Sequence, residues 1–148
     1  MINIVVTSKP VDGLLYYSYE YCDMLNNAGY PARVVIICHR KYNQRDYVNS
    51  ITRKYIHCNR VWFPDTYVPS DDDVTLIMGR SMMTLSWQSF NDYTLVQQTS
   101  LQRLFSGNVI SVYSENHVEG YPKAVDFYKP KQIVDLCDTD VYPNGVGA

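Results

Sequence analysis

The chain has 148 residues, of which 46% are hydrophobic and 19% charged, and its formal net charge at pH 7 is −2. This length corresponds to one domain that can bury enough surface to fold without a metal or a disulfide, and the composition excludes a disordered chain. The net charge is too small to indicate a nucleic-acid or membrane partner by itself.

Cysteine spacing and the N-terminal sequence bear on the compartment and on metal binding. No two of the four cysteines, Cys22, Cys38, Cys58 and Cys137, have the spacing of a chelating pair. The N-terminus lacks a signal-peptide pattern, and no stretch approaches ~18 uninterrupted apolar residues. We therefore expect a reduced, cytoplasmic protein with no metal site and no membrane partner.

The first 38 residues have the pattern of a βαβ unit. Ile2–Val6 is a β-branched apolar run typical of a buried strand. Apolar side chains then recur at three- and four-residue steps from Leu14 to Ala28, which predicts a helix with Asp12 as its N-cap. Gly29 is expected to end this helix in a left-handed conformation, and Arg33–Cys38 is the second predicted strand.

The later segments extend the same alternation. They are predicted strands at Arg60–Phe63 and Val74–Met78, a helix at about Leu85–Phe105, and strands at Asn108–Tyr113 and Gln132–Cys137. Continuous apolar strands flanked by helices require a sheet that is covered on both faces. The sequence therefore predicts one α/β domain over residues 1–148, with a Rossmann-like, open and mostly parallel sheet and helices on both faces.

Charge is unevenly distributed along the chain. The segment from Arg33 to Arg60 contains seven basic residues and one acid, Asp46, whereas the segment from Asp65 to Asp73 contains four acids and no base. Two interpretations are open: a solvated face, or a site for phosphate, nucleotide or another polyanion.

Ligands of open α/β sheets bind beyond the carboxyl ends of the strands, so the residues that follow each predicted strand are the candidates for a site. After the first strand, a helix N-terminus suited to phosphate or carboxylate follows a tight turn, and a purely structural turn is the alternative. After Val74–Met78, a glycine allows close backbone approach, and an arginine could bind an anion or pair with the Asp71–Asp73 run. These candidates are Ser8, Lys9, Asp12, Gly13, Gly79, Arg80 and Ser81.

The segment after Asn108–Tyr113 places His117 between Glu115 and Glu119. A neutral imidazole beside a carboxylate suits a general base, and an ordinary hydrogen-bonded loop is the alternative. After Gln132–Cys137, two aspartates have metal-ligand spacing but too few oxygen ligands for Mg²⁺ or Ca²⁺, and a turn signature follows them. The additional candidates here are Asn116, Asp138, Asp140, Asn144 and Gly145.

Motifs of several other enzyme classes are absent from the sequence. The chain has no GxGxxG fingerprint, no P-loop and no Gly-x-Ser-x-Gly elbow. The residues alone therefore do not identify a dinucleotide-binding protein, a nucleoside triphosphatase or a serine hydrolase.

Two stretches nevertheless resemble a known family. INIVVTSKPVDGLLYYSYEYCDMLNNAGYPARVVIIC resembles the first βαβ unit of GT-B type glycosyltransferases, and VISVYSENH resembles the acceptor-side strand and acidic-histidine loop of such enzymes, including the DNA glucosyltransferases of T-even phages. The resemblance covers most of the chain in pattern. It implies that Glu115 or His117 deprotonates or orients the acceptor hydroxyl, with Gly13, Arg80 and the Asp138–Gly145 loop lining the cleft.

The resemblance also implies a partner. In this family a second Rossmann-like domain holds most of the sugar nucleotide, so we expect a further domain or subunit that carries the donor site, and no cofactor besides the nucleotide-sugar donor. The acceptor, whether small molecule, glycan or nucleic acid, stays open. Four further alternatives for the chain are open. It could be a fragment, a subunit of a split enzyme, a descendant without catalysis, or a non-catalytic binding module for a nucleotide, another anion or a protein.

Overall fold

Six strands form one parallel sheet in the part of the chain that the computed structural model describes, residues 1–7, 12–37, 45–63, 65, 69–79, 82–112 and 118–136. The side chains of Asp12 and Met82 lie outside this description. The strands are β1 (Ile2–Thr7), β2 (Ala32–Ile37), β3 (Arg60–Phe63), β4 (Val74–Ile77), β5 (Asn108–Ser111) and β6 (Gln132–Asp135), in the spatial order β3-β2-β1-β4-β5-β6.

Helices connect most of these strands. They are α1 (Asp12–Asn27), α2 (Arg45–Ile51), α3 (Met82–Gln88), α4 (Leu95–Phe105) and α5 (Tyr121–Tyr128), with short 3-10 turns at Arg53–Tyr55 and Phe90–Asp92. Within the described ranges, no helix has both the length and the apolar character needed to cross a membrane.

The two faces of the sheet carry separate hydrophobic cores. Side chains alternate along a strand, so Ile4 and Val6 point to one face and Val5 to the other. The first face packs against α1 and α2, which contribute Leu15 and Val48 among others. The second face packs against α3, α4 and α5. This arrangement confirms the predicted α/β, Rossmann-like fold with helices on both faces.

Several predicted boundaries are confirmed closely. Strand β3 has the predicted limits, β1 and β4 differ from prediction by one residue at one end, and β2 differs by one residue at each end. Helix α1 starts at Asp12, so the residue predicted as its N-cap is its first helical residue, and Gly29 has φ +90° as predicted for a left-handed cap.

The prediction of one continuous helix at Leu85–Phe105 is wrong. The chain forms α3, a 3-10 turn and α4 instead, and Tyr93 is extended between the last two, with φ −90° and ψ 155°. A capping box explains the restart, because the Thr94 hydroxyl accepts from the Gln97 backbone N–H while the Gln97 side chain accepts from the Thr94 backbone. The apolar period continues through the break, so periodicity alone did not reveal it.

Two helices were not predicted. Helix α2 lies inside the basic segment. Val48 is its buried residue, so the helix has no repeated apolar pattern that the sequence could reveal. Helix α5 carried a signal that was missed: Gly120, with φ +85°, precedes it, and a proline occupies its first turn.

Removal of the Tyr128 hydroxyl is expected to leave the stability of the domain unchanged or slightly higher. Tyr128 is 2% exposed among aromatic rings, and its hydroxyl has no hydrogen-bond partner among the described residues. Burial raises the pKa of this phenol, so it stays neutral. We expect Tyr128→Phe to leave the free energy of unfolding unchanged or raise it by up to about 1 kcal/mol, because the aromatic packing stays and an unsatisfied polar group is removed.

Tyr19→Phe is the matched control for Tyr128→Phe in urea unfolding. Tyr19 is equally buried at 1% exposure, but its hydroxyl accepts a hydrogen bond from Arg60 Nη1 at 3.3 Å. This variant should lose about 0.5–1.5 kcal/mol. A larger loss for Tyr128→Phe than for Tyr19→Phe would show that the Tyr128 hydroxyl is hydrogen-bonded.

Candidate functional site

The spatial order of the strands reverses between β1 and β4. β2 and β3 lie on one side of β1, whereas β4, β5 and β6 continue on the other. The connection after β1 leads to α1 on one face, and the connection after β4 leads to α3 on the opposite face. Such a point of divergence is where open α/β sheets bind ligands. We call this carboxyl edge, bounded by Thr7 at the end of β1 and by Gly79 just beyond β4, the switch point.

A backbone hydrogen bond joins β1 to the residue after β4 at the switch point. Met78 N donates to Val5 O at 3.0 Å, so β1 and β4 stay paired up to the edge. Gly79 follows directly, is buried and brings no side chain into the edge. The predicted role of Gly79, close approach of a ligand to its backbone, stays a prediction.

The N-terminus of α1 is also at the carboxyl edge. Because the helix follows β1 and returns towards the start of β2, its first turn lies near the carboxyl ends of the strands. Gly13 is exposed, and a Cβ added to it would meet no atom of the described residues within 4 Å. The first turn of a helix carries N–H groups without intrahelical partners and a partial positive charge, which suit an anionic group.

The next strand end is adjacent to this region. Val112 N donates to Ile77 O at 3.0 Å, which holds the end of β5 beside the end of β4. The segment with the predicted catalytic residues begins directly after Val112. The last described residue before Glu115 and His117 is thus one strand away from the switch point.

Most predicted site residues lie outside the described ranges. Asp12 and Gly13 are placed at the start of α1 and Gly79 at the end of β4, although the Asp12 side chain is not described. The others stay predictions: Ser8, Lys9, Arg80, Ser81, Glu115, Asn116, His117, Asp138, Asp140, Asn144 and Gly145.

The basic segment is partly neutralised by acidic partners. Arg33 lies 3.2 Å from Asp73, Arg45 makes a two-pronged contact with Asp65, and Lys54 lies 3.8 Å from Glu20. Arg45 and Arg60 also stack on Trp62, at 5.2 and 4.9 Å from its ring. These contacts pair several of the basic residues within the protein and count against an open polyanion site. Arg40 and Lys41 are outside the described residues.

Two residues of the acidic run, Asp71 and Asp73, have basic partners among the described residues. Asp71 lies 3.5 Å from Arg103, and Asp73 accepts a hydrogen bond from Arg33. Asp71 and Asp73 therefore have counter-charges without Arg80, whose predicted pairing with the Asp71–Asp73 run stays a prediction.

A separate group of chemically active side chains lies at the opposite, amino edge of the sheet. Asp23 is near the end of α1, and His57 and Cys58 are in the turn that precedes β3. Asp23 Oδ1 lies 2.7 Å from His57 Nε2 and accepts a hydrogen bond from Cys58 Sγ at 3.0 Å. We call these three residues the amino-edge triplet.

The triplet is not arranged as a cysteine hydrolase site. Hydrogen bonds from Cys58 and His57 lower the pKa of the Asp23 carboxyl, whereas burial and the neighbouring carboxylate raise the pKa of the Cys58 thiol. In a nucleophilic pair the imidazole lies next to the sulfur and withdraws its proton. Here the carboxylate lies between the thiol and the imidazole and keeps the thiol protonated, so Cys58 is not an activated nucleophile.

Two cavities adjoin the triplet. One of about 630 Å³ is lined by all three of its residues together with the starts of β1 and β2. The other, of about 480 Å³, is lined by Tyr19, Tyr55, Arg53 and Arg60 among others, and Cys58 and Asn59 line both. The amino edge is therefore accessible to small ligands and ions.

Comparisons with known proteins give no relative for this chain. No family model matches it, and no significant match is found among curated proteins or solved structures.

The sequence did not predict that the three residues of the amino-edge triplet lie together. The cysteine spacing had predicted no metal site. Asp23 and His57 are 34 residues apart, so no local motif joins them. The available signal was positional: Asp23 is near the end of a predicted helix, and His57 and Cys58 come just before the strand Arg60–Phe63. Only the placement of β3 beside β2 brings these two positions together.

Proposed function

We propose that this domain forms one wall of a sugar-transfer site, in the manner of the acceptor side of a GT-B type glycosyltransferase. The observation that carries the proposal is the reversal of strand order between β1 and β4, with the exposed Gly13 in the first turn of α1 at the same edge. The phosphates of a nucleotide sugar would face Gly13, and the acceptor would face the segment after β5.

The charge of the α1 terminus supports an anionic ligand. Helix α1 has 16 residues, long enough for its peptide dipoles to place a partial positive charge on the first turn. A diphosphate there would accept hydrogen bonds from backbone N–H groups that have no partner within the helix. This contact needs no GxGxxG motif, so the proposal is compatible with a single glycine at Gly13.

The chemistry of transfer is assigned to Glu115 and His117, as the family resemblance implies. A general base near neutral pKa removes the proton of the acceptor hydroxyl as that oxygen attacks the anomeric carbon of the sugar, and the nucleoside diphosphate leaves. A second domain or subunit would hold the nucleoside of the donor. Binding without transfer would instead identify the non-catalytic module, the alternative function for the same site.

Gly13 provides a matched pair of variants for ligand binding. Ala and Glu should both be accommodated, since no atom of the described residues lies within 4 Å of the added Cβ and the Gly13 backbone has no positive φ. Gly13→Glu is expected to weaken nucleotide-sugar binding by about tenfold or more, because its carboxylate repels the phosphates across a few ångströms. Gly13→Ala should bind within about twofold of the parent. Isothermal titration with UDP-glucose, GDP-mannose and pyrophosphate measures this difference.

Thermal unfolding separates a binding effect from misfolding. An acidic side chain in the first turn of a helix is stabilising, so Gly13→Glu should not lower Tm. Equal affinities in the two variants would show that the phosphates do not contact α1. No nucleotide-sugar binding and no turnover, with and without the partner that carries the donor site, would overturn the proposed function.

A further inference from the structure

We propose that the amino-edge triplet of Asp23, His57 and Cys58 binds Zn²⁺. This site lies at the amino edge of the sheet, opposite the switch point, and is independent of the proposed sugar-transfer function.

The three side chains offer the ligand set that zinc prefers. A carboxylate oxygen, an imidazole nitrogen and a sulfur all bind Zn²⁺, whereas Mg²⁺ and Ca²⁺ select oxygen ligands. When Cys58 binds the ion its thiol releases a proton to solvent, so that one thiolate and one carboxylate neutralise the two charges of the cation.

The distances fit a zinc ion after small side-chain rotations. One ligand atom from each residue lies within 4.8 Å of the others. Zinc bonds of about 2.0–2.3 Å in tetrahedral geometry place ligand atoms roughly 3.5 Å apart. The contacts of Asp23 Oδ1 at 2.7 Å to the imidazole and 3.0 Å to the sulfur therefore need to widen by less than about 1 Å. The imidazole and the sulfur, which lie within 4.8 Å of each other, need to approach by at most about 1.3 Å.

The site is accessible and positioned by rigid elements. The His57 and Asp23 side chains are 60% and 30% exposed, and the cavity of about 630 Å³ opens beside them. Cys58 N donates to Tyr55 O at 2.9 Å, which anchors the turn, and Asp23 is held on α1. Among the described residues no Lys or Arg pairs with the Asp23 carboxylate, so no basic side chain competes with a cation.

The fourth zinc position would be taken by water from the cavity. The neighbouring Cys22 thiol is buried, donates to Ala32 O at 3.5 Å and also hydrogen-bonds with Cys58, but it is not among the three ligand atoms that lie within 4.8 Å of one another. The bound ion would thus cross-link α1 to the turn before β3 through three protein ligands.

Metal titration of the reduced protein tests this proposal directly. We expect one Zn²⁺ per chain with a Kd no weaker than about 1 μM, and a rise in Tm of about 5–10 °C at 100-fold excess over Kd. Co²⁺ should give the near-ultraviolet charge-transfer absorption of a thiolate ligand and the intense visible bands of tetrahedral coordination. Absence of the charge-transfer band, or affinity weaker than about 100 μM, would overturn the proposal.

Single substitutions identify the ligands. Cys58→Ser should abolish the charge-transfer band, and Asp23→Asn and His57→Gln should each weaken Co²⁺ binding by at least about tenfold. Cys137→Ser removes a thiol from a different part of the sequence and should leave the band unchanged. A band that persists in Cys58→Ser, or disappears in Cys137→Ser, would contradict the assignment. Nucleotide-sugar binding is measured separately and should be unaffected in all four variants.

Discussion

Replacing Asp73 with Ala is expected to lower the free energy of unfolding by about 3–5 kcal/mol, the loss typical of a broken buried ion pair. Asp73 is 8% exposed at the amino end of β4. Its Oδ2 accepts hydrogen bonds from Asn3 Nδ2 at 2.9 Å, Arg33 Nη2 at 3.2 Å and the backbone N–H of Ser70 at 3.2 Å. One carboxylate therefore joins β1, β2 and the segment that leads into β4.

The large loss follows from what the substitution leaves behind. Arg33 has a side-chain exposure of 20%, and its Nε donates to the oxygen of Asn3, which is fully buried. Without Asp73, the ion pair with Arg33, the hydrogen bond from Asn3 and the contact with the N-terminal ammonium group at 3.6 Å are all lost. Removing one partner of a buried ion pair costs more than the net gain of the intact pair.

Urea unfolding of Asp73→Ala beside Asp72→Ala measures the effect. Asp72 is exposed in the same acidic run, so its removal should change stability by less than about 0.5 kcal/mol. Adding Arg33→Met to Asp73→Ala should recover part of the loss, because the positive charge that Asp73 neutralised is removed as well. A loss below about 1 kcal/mol in Asp73→Ala would show that water solvates the network.

Replacing His117 with Ala is expected to lower the rate of sugar transfer by about 10²–10⁴-fold, on the proposed function of the domain. The imidazole would act as the general base that takes the acceptor proton, with Glu115 orienting it. Glu115→Gln should lower the rate of sugar transfer by a smaller factor than His117→Ala, because an orienting carboxylate acts through the imidazole. Nucleotide-sugar affinity should stay within about twofold in both variants, since the phosphates face α1.

Glu119→Gln is the control for these two residues. Glu119 is an exposed acid two residues after His117, so its loss should leave transfer unchanged. The assay pairs the chain with the domain or subunit that carries the donor site and follows release of the nucleoside diphosphate. Transfer at the parent rate in both His117→Ala and Glu115→Gln would remove their assigned roles without removing the binding site at the switch point.

The fold class could be predicted from the sequence because buried strands have a recognisable local composition. Ile2–Val6 and Arg33–Cys38 are continuous β-branched runs, and a helix period with a closing Gly29 separates them. These features act between near neighbours in the chain. The capping box at Thr94 shows where this stops, since the apolar period of α3 continues past a break made by polar side chains.

Part of the candidate site was also predictable. The rule that ligands bind at the carboxyl ends of strands directed attention to Gly13 and Gly79, and the structure places both at that edge. The roles of Glu115 and His117 stay predictions that depend on the resemblance and on the transfer assay.

Only the tertiary structure decided which strands are neighbours, and with that which distant residues meet. The order β3-β2-β1-β4-β5-β6 selects the β1–β4 edge as the switch point, and it brings Arg33 to Asp73 and Asp23 to His57. Nothing in the local sequence encodes these contacts, because they join residues 34 or more positions apart through the packing of β2 against β3 and of β1 against β4. Local composition determined the elements of this protein, whereas long-range strand pairing determined its polar clusters.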